Sequence, residues 1–184
     1  MFKRVLVPLA EGFEEIEALF PVDLLRRAEI EVVIAGLNTQ NVKSAHGIIV
    51  TADTTLDKVT GNFDGVLLHG GNPGTQNLAA STLVSELIKQ YFQQGKLIAA
   101  ICGAPAGVVY PTGILKDKRA TGFPGAEKRF GKDTIFVLAP VVVDGNILTS
   151  RGVGTAHAFG LAVIAYLLGN EKRDEISQRT LFPE

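Results

Sequence analysis

The chain has 184 residues, 46% of them apolar, which is enough to bury one substantial core, so we expect a single domain over residues 1–184. Its 18 lysines and arginines nearly balance 19 acidic residues, and the absence of a basic run argues against nucleic acid as a partner. No apolar stretch has the length of a membrane span, and a lone cysteine suits a reducing compartment, so we expect a cytoplasmic protein without membrane contact.

Short apolar runs alternate with stretches of helical periodicity along the chain. The predicted strands are Arg4 to Leu9, Glu31 to Ala35, Gly47 to Thr51, Asp64 to His69 and Leu97 to Ile101. The predicted helices are Phe13 to Ala28, Ser81 to Gln94 and Ala156 to Leu168. A small β-hairpin is predicted from Val141 to Val143 and Ile147 to Thr149, around the turn Asp144-Gly145-Asn146. This alternation predicts an α/β fold with a doubly wound, mostly parallel sheet between helices.

Cys102 directly follows the apolar strand Leu97 to Ile101 and precedes small residues and Pro105, which suits a first helical turn. A strand, a sharp turn and a helix form a nucleophile elbow, although Ala100 replaces the first glycine of the hydrolase signature. A sulfur at a helix start is favoured as thiolate, so we expect the Cys102 pKa to lie below that of a free thiol. The alternative is a free cysteine that acts only as a small buried apolar side chain.

Glu17 falls within the apolar stripe of the predicted helix Phe13 to Ala28. A carboxyl group in that position must be paired or must become neutral, because an unpaired buried charge is too costly. The alternative is a carboxylate satisfied by the backbone amides at the start of the helix.

Gly70 and Gly71 follow the predicted strand Asp64 to His69, and their amides could bind an anion or a developing oxyanion, or could simply form a tight turn. His46, His69 and His157 stand apart in the sequence and are predicted to be surface or capping residues rather than metal ligands. The absence of a phosphate loop, a dinucleotide fingerprint and a metal motif predicts that the protein uses no cofactor and no metal.

Six segments together resemble the ThiJ/PfpI superfamily, in the branch that contains DJ-one and YajL. They are AEGFEEIEA (10–18), PVDLLRRA (21–28), GGNPGTQNL (70–78), LIAAICGAP (97–105), TGFP (121–124) and ILTSRGVGT (147–155). The resemblance implies a flavodoxin-like fold and a homodimer with the reactive cysteine near the subunit interface. It also implies that Cys102 is an oxidisable nucleophile, that Glu17 is its protonated hydrogen-bond partner, and that Gly70 and Gly71 supply amides beside it.

Several positions depart from the pattern of the superfamily. Gly103 stands where peptidase-like relatives have histidine, which argues against a cysteine-histidine peptidase and leaves only a backbone amide at this position. Phe123 stands where some relatives have a histidine near the nucleophile. His69 replaces a proline, and His46 replaces an arginine near the interface; either could be an auxiliary residue of the site.

The resemblance implies a cofactor-independent glyoxalase or protein deglycase, of the glyoxalase III type, in which Cys102 and Glu17 are catalytic. Its partners would be a small aldehyde or a glycated substrate and a second copy of the chain. The alternative is a redox sensor or holdase chaperone of the oxidative stress response, in which Cys102 is oxidised to a sulfinate.

Overall fold

The computed structural model describes residues 3–181. Its strands are β1 (Arg4–Leu9), β2 (Glu31–Gly36), β3 (Asn41–Lys43), β4 (Ile49–Thr51), β5 (Thr54–Thr55), β6 (Gly65–Leu68), β7 (Leu97–Ile101), β8 (Arg119–Ala120), β9 (Ile135–Phe136), β10 (Val141–Asp144) and β11 (Ile147–Ser150). Its α-helices are α1 (Glu15–Arg27), α2 (Gly74–Ala80), α3 (Thr82–Gln93), α4 (Ala156–Leu168) and α5 (Asn170–Arg179).

Within residues 3–181, seven strands form the main sheet in the order β10-β11-β7-β6-β1-β2-β5. Neighbouring strands are parallel, except that β10 pairs with β11 in antiparallel register. The predicted doubly wound, mostly parallel α/β fold is therefore confirmed.

The two faces of the sheet are covered by separate hydrophobic clusters, as the side chains of β1 illustrate. Successive residues of a strand point to opposite faces. Val5 and Val7 belong to the cluster beneath α1 and α4, whereas Leu6 belongs to the cluster beneath α3. Burial on both faces explains why the sequence of this strand is almost continuously apolar.

Two of the predicted strand assignments need correction. Gly47 lies in a turn with a φ of 89°, and only Ile49–Thr51 forms a strand. That strand pairs with β3 in a separate two-stranded sheet. In the second case, the β10–β11 hairpin includes Asp144, which pairs with Ile147, so the turn is shorter than predicted. Helices α2 and α5 were not predicted.

Three strands of the main sheet end beside one another and position the candidate site. The carboxyl ends of parallel strands meet at one edge of a sheet, where α/β proteins bind their ligands. Here Ala10 follows β1, the segment 69–71 follows β6, and Cys102 follows β7.

Among the described residues, no helix has both the length and the apolar character needed to cross a lipid bilayer.

Candidate active site

Cys102 has the backbone geometry of a nucleophile elbow. Its φ of 64° lies in the left-handed region, which a side-chain-bearing residue rarely adopts. The Cys102 amide still donates to the carbonyl of Ser150, at 3.1 Å, so the turn begins directly at the end of the sheet. The predicted elbow is confirmed. The helical segment that follows is a π-helical turn (Pro105–Val109) and a 3₁₀ turn (Tyr110–Thr112) rather than a regular α-helix, which weakens the expected helix dipole at the sulfur.

Glu17 lies in the first turn of α1 and is completely buried. The side chain of Glu14 caps the helix by accepting from the Glu17 amide, at 2.7 Å. Oε2 of Glu17 accepts from the amide of Gly70, at 3.1 Å, so its amide partner comes from the end of β6 and not from the start of its own helix. Oε1 is buried and makes no hydrogen bond of ordinary length with a residue in the range 3–181.

Gly70 lies beside both the carboxyl group of Glu17 and the side chain of Cys102. A Cβ atom added to Gly70 would collide with Oε2 of Glu17 and would lie 2.9 Å from Sγ of Cys102. The two reactive groups therefore lie on the same side of Gly70, and a side chain at position 70 would collide with both. The structure thus brings Cys102 and Glu17 together as predicted.

The ionisable groups of Cys102 and Glu17 influence each other. Burial raises the pKa of Glu17 to about 7, although interactions with the Cys102 thiol and with the backbone amides of Gly70 and Val153 lower it. Burial and the neighbouring Glu17 carboxylate raise the pKa of the Cys102 thiol to about 12, against the lowering effect of the Gly103 and Gly71 amides. This opposes the predicted low thiol pKa, because that prediction left out the burial of the sulfur and assumed that Glu17 is protonated.

The repulsion between the two groups exists only while Glu17 is ionised. When Glu17 holds a proton, the carboxyl group can donate to the sulfur and stabilise the thiolate instead. Because the pKa of Glu17 is about 7, both of its forms are populated near neutrality. Cys102 and Glu17 therefore titrate as a pair.

The raised pKa of Glu17 predicts a pH-dependent stability. Its pKa in the folded protein, about 7, exceeds the ordinary value of 4.5, so folding favours the protonated form. The stabilising contribution is complete below about pH 4.5 and is lost as the pH rises through about 7. Glutamine does not titrate, so Glu17→Gln lacks this loss. The free energy of unfolding of the variant minus that of the wild-type protein should therefore rise by at most about 3 kcal/mol between pH 4.5 and pH 7. Denaturant unfolding at several pH values measures this difference, and parallel pH curves for both proteins would contradict it.

The three glycine amides have different roles. The Gly70 amide donates to Glu17, and the amides of Gly71 and Gly103 face the sulfur of Cys102 and lower its pKa. The prediction that Gly70 serves the sulfur or an oxyanion is therefore corrected, since its amide already has a partner. Gly71 and Gly103 also line a cleft of about 160 Å³ that is bordered by Thr75 and Arg129 and is large enough for a small molecule.

The three histidines occupy different environments. His69 is completely buried and His157 is largely buried, which contradicts the prediction of surface positions. His46 is exposed, and its Nδ1 lies 2.7 Å from Oε2 of Glu15. The hydrogen bonds of His46 thus go to Glu15 rather than to Cys102 or Glu17, and the structure gives it no part in the pair.

One group of potential metal ligands occurs in the described part of the chain. The side chains of Glu14, Glu15 and His46 present atoms within 4.8 Å of one another. Glu15 also accepts hydrogen bonds from the Ser44 hydroxyl and the His46 amide, so protein groups already satisfy its carboxylate. The sequence did not reveal this cluster, because Ser44 and His46 lie far from α1 along the chain.

Two further segments lie beside the pair, one at Phe123, whose position the resemblance already placed near the nucleophile, and one at Gly152. Phe123 donates its amide to the carbonyl of Cys102, at 2.8 Å. A Cβ atom added to Gly152 would lie 3.6 Å from both Oε1 of Glu17 and the ring of Phe123. The motifs TGFP and SRG mark these segments in the sequence, but only the fold shows that Gly152 adjoins Glu17.

Comparison with known proteins identifies the family. The model of the DJ-1/PfpI family matches residues 3–166. Drosophila melanogaster DJ-1beta is 40% identical over 98% of both chains, and its crystal structure superposes with a TM-score of 0.95 over the full length of both, at 39% identity. The chain is 40% identical to DJ-1 homolog A of Arabidopsis thaliana but spans only 45% of that protein's length.

A relative with a named activity is the glutathione-independent glyoxalase DJR-1.2 of Caenorhabditis elegans. It is 31% identical over 94% of this chain and 91% of its own length. Together with the parallel sheet, the elbow at Cys102 and the adjacent Glu17, these matches show that the chain belongs to the DJ-1/PfpI family.

Proposed function

We propose that the protein is a cofactor-independent glyoxalase that converts methylglyoxal or glyoxal to the corresponding hydroxy acid, with Cys102 as nucleophile and Glu17 as general acid and base. The observation that carries this proposal is the position of the Cys102 sulfur and the Glu17 carboxyl group on the same side of Gly70, where a single added Cβ atom would meet both. The glyoxalase activity named for the Caenorhabditis elegans relative supports it. Early glycation adducts, in which the aldehyde carbon is bound to an amine or thiol that the reaction releases, are the second substrate class.

The first chemical step forms a carbon-sulfur bond. The Glu17 carboxylate takes the thiol proton of Cys102, the sulfur attacks the aldehyde carbon of methylglyoxal, and Glu17 returns the proton to the aldehyde oxygen, which yields a hemithioacetal. The amides of Gly71 and Gly103, which face the sulfur, are placed to stabilise negative charge that develops beside it.

The second step is an internal proton transfer. The Glu17 carboxylate removes the proton from the carbon bound to sulfur and returns it to the adjacent carbon, while the hydroxyl proton of the hemithioacetal passes to the ketone oxygen. The first carbon is thereby oxidised and the second is reduced. Because the pKa of Glu17 is about 7, the group can both accept and release a proton near neutral pH. Water then cleaves the resulting thioester to lactate and the free thiol, so the reaction needs no external oxidant or reductant.

Formation of lactate from methylglyoxal, without added thiol or metal, tests the proposal. We expect many turnovers per protein chain. A redox sensor gives the opposite result, because its cysteine reacts with oxidant once per chain and shows no aldehyde turnover. Lactate below one equivalent per chain would overturn the glyoxalase proposal.

The sensor or holdase function is the second candidate, because the surroundings of the sulfur also suit an oxidised cysteine. The amides of Gly71 and Gly103 and a protonated Glu17 could all donate to a sulfinate. Consumption of about one or two equivalents of peroxide, localised to Cys102 by mass spectrometry, together with no lactate formation, would favour this function.

We keep the cytoplasm as the expected compartment, because a lone thiol remains reduced there.

We also propose that the protein is a homodimer, in keeping with the exposed apolar side chains around Glu15. Ile16 follows Glu15 in α1 and is 46% exposed, and both Ile48 and Ile49 are more exposed still. The Ile48 amide donates to the Ser44 hydroxyl, which in turn donates to Glu15, so Ile48 and Ile16 both lie near Glu15. Contiguous exposed apolar residues are typical of subunit interfaces.

Light scattering at several concentrations measures the oligomeric state. We expect a dimer for the wild-type protein and a shift toward monomer for Ile16→Glu, because the new charge would be buried at the interface. Leu83→Glu is the matched control, since Leu83 lies in α3 with a similar exposure of 49% and should leave the dimer intact. A wild-type monomer at every concentration would contradict the proposal.

A further inference from the structure

His69 is a completely buried histidine that the proposed reaction does not use. Both of its ring nitrogens have backbone partners. The amide of Ala10 donates to Nε2 at 3.2 Å, and Nδ1 lies 2.6 Å from the carbonyl oxygen of Gly70. An amide can only donate, so Nε2 must be the acceptor, and the ring proton must therefore lie on Nδ1 and be donated to Gly70.

This arrangement excludes His69 as a general base. Its Nε2 lone pair is occupied by Ala10, and its Nδ1 already carries the proton. Burial also lowers the pKa of His69 to about 4, so the ring is neutral at physiological pH. If His69 is an auxiliary residue of the site, as the sequence allows, its role is therefore not that of a base.

The carbonyl that accepts from His69 belongs to the same peptide unit as the Gly71 amide. That amide faces the sulfur of Cys102. The Gly70 carbonyl also accepts from the Glu14 amide, at 3.1 Å. Donors on the oxygen of a peptide withdraw electron density from it and strengthen the hydrogen bond that its N–H makes. His69 thus lies at one end of a chain of contacts that ends on the reactive sulfur.

We propose that His69 is a positioning residue, which holds and polarises the Gly70–Gly71 peptide so that the Gly71 amide donates to the sulfur of Cys102. The proposal rests on the assignment of Cys102 as the nucleophile of the proposed function. It concerns the stability of the thiolate and not the identity of the substrate.

Two substitutions test the roles of the two ring nitrogens of His69 one at a time. The side-chain NH₂ group of asparagine can replace Nδ1–H, so His69→Asn keeps a donor toward Gly70 and loses the acceptor for Ala10. The carbonyl oxygen of glutamine can replace Nε2, so His69→Gln keeps the acceptor for Ala10 and loses the donor toward Gly70. Each variant leaves one backbone group without its partner, so a purely structural role would affect both alike.

Alkylation of Cys102 by iodoacetamide is the readout, because this is the only cysteine and its reaction rate follows the thiolate population. We expect His69→Gln to react about three- to tenfold more slowly than the wild-type protein at neutral pH, and His69→Asn to react at nearly the wild-type rate. Equal rates in His69→Gln and the wild-type protein, or equal losses in both variants, would overturn the proposal.

A second measurement applies if His69→Gln does not fold. Nuclear magnetic resonance of the wild-type protein with isotope-labelled histidine reports which ring nitrogen of His69 carries the proton. Protonation at Nδ1 together with normal alkylation of His69→Asn supports the proposal, and protonation at Nε2 or slow alkylation of that variant overturns it. Neither measurement involves methylglyoxal, so an absence of lactate formation would refute the glyoxalase function without affecting this test.

Discussion

Replacing Cys102 with serine is expected to reduce methylglyoxal turnover at least about 1,000-fold, because the hydroxyl group is a much weaker nucleophile at neutral pH than a thiol. Serine has nearly the same size, so it should retain the elbow and the contacts around Gly70. Lactate formation by the purified variant measures the effect.

Cys102→Ala is the companion variant, because it removes the nucleophile without supplying another oxygen. Thermal unfolding should show that both variants are folded, which attributes the loss of turnover to chemistry. If Cys102→Ala retained a tenth or more of the wild-type turnover, covalent catalysis by Cys102 would be excluded.

Glu17→Gln is expected to separate thiol reactivity from catalysis. The substitution removes the carboxylate that raises the pKa of Cys102, so iodoacetamide alkylation at neutral pH should be as fast as in the wild-type protein or faster. Methylglyoxal turnover should nevertheless fall about 100- to 10,000-fold, because an amide cannot transfer the proton between the two carbons. Parallel assays of alkylation and lactate formation measure the two effects.

Two variants serve as comparisons for Glu17→Gln. Glu17→Asp keeps the acid but withdraws it by one methylene group, so it should recover part of the turnover if reach is the limiting factor. Glu15→Gln changes a buried carboxylate of the same helix whose partners are Ser44 and His46, and it should retain most of the turnover. Full turnover in Glu17→Gln would remove this residue from the mechanism.

The parts of the fold that sequence predicts well are those whose burial leaves a pattern. Strands β1 and β7 are covered on both faces, and their continuous apolar runs give nearly the observed bounds. Strand β4 lacks that burial, because it pairs only with β3 at the surface, and its apolar residues therefore suggested a longer strand than is present. Helix α5 buries only Ile176, so it lacks an apolar stripe.

The candidate site shows the same division between local patterns and contacts across the chain. The elbow at Cys102 and the unusual position of Glu17 can be recognised locally, because a strand, small residues and a misplaced charge are all visible in the sequence. The environment of His69 cannot be recognised in the sequence, because the partners of this side chain are backbone groups of Ala10 and Gly70, which any amino acid could supply. The effect of burial on the thiol pKa likewise depends on the assembled fold.

The left-handed backbone of Cys102 also has an evolutionary consequence. A side chain in this conformation costs on the order of 1–3 kcal/mol, which glycine would avoid. Selection for stability alone would therefore replace Cys102 with glycine, and only selection for the thiol opposes that replacement. Descendants that abandon the chemistry but keep the fold should accumulate glycine at this elbow, so glycine after an otherwise unchanged β7 would mark a lineage that has lost the activity.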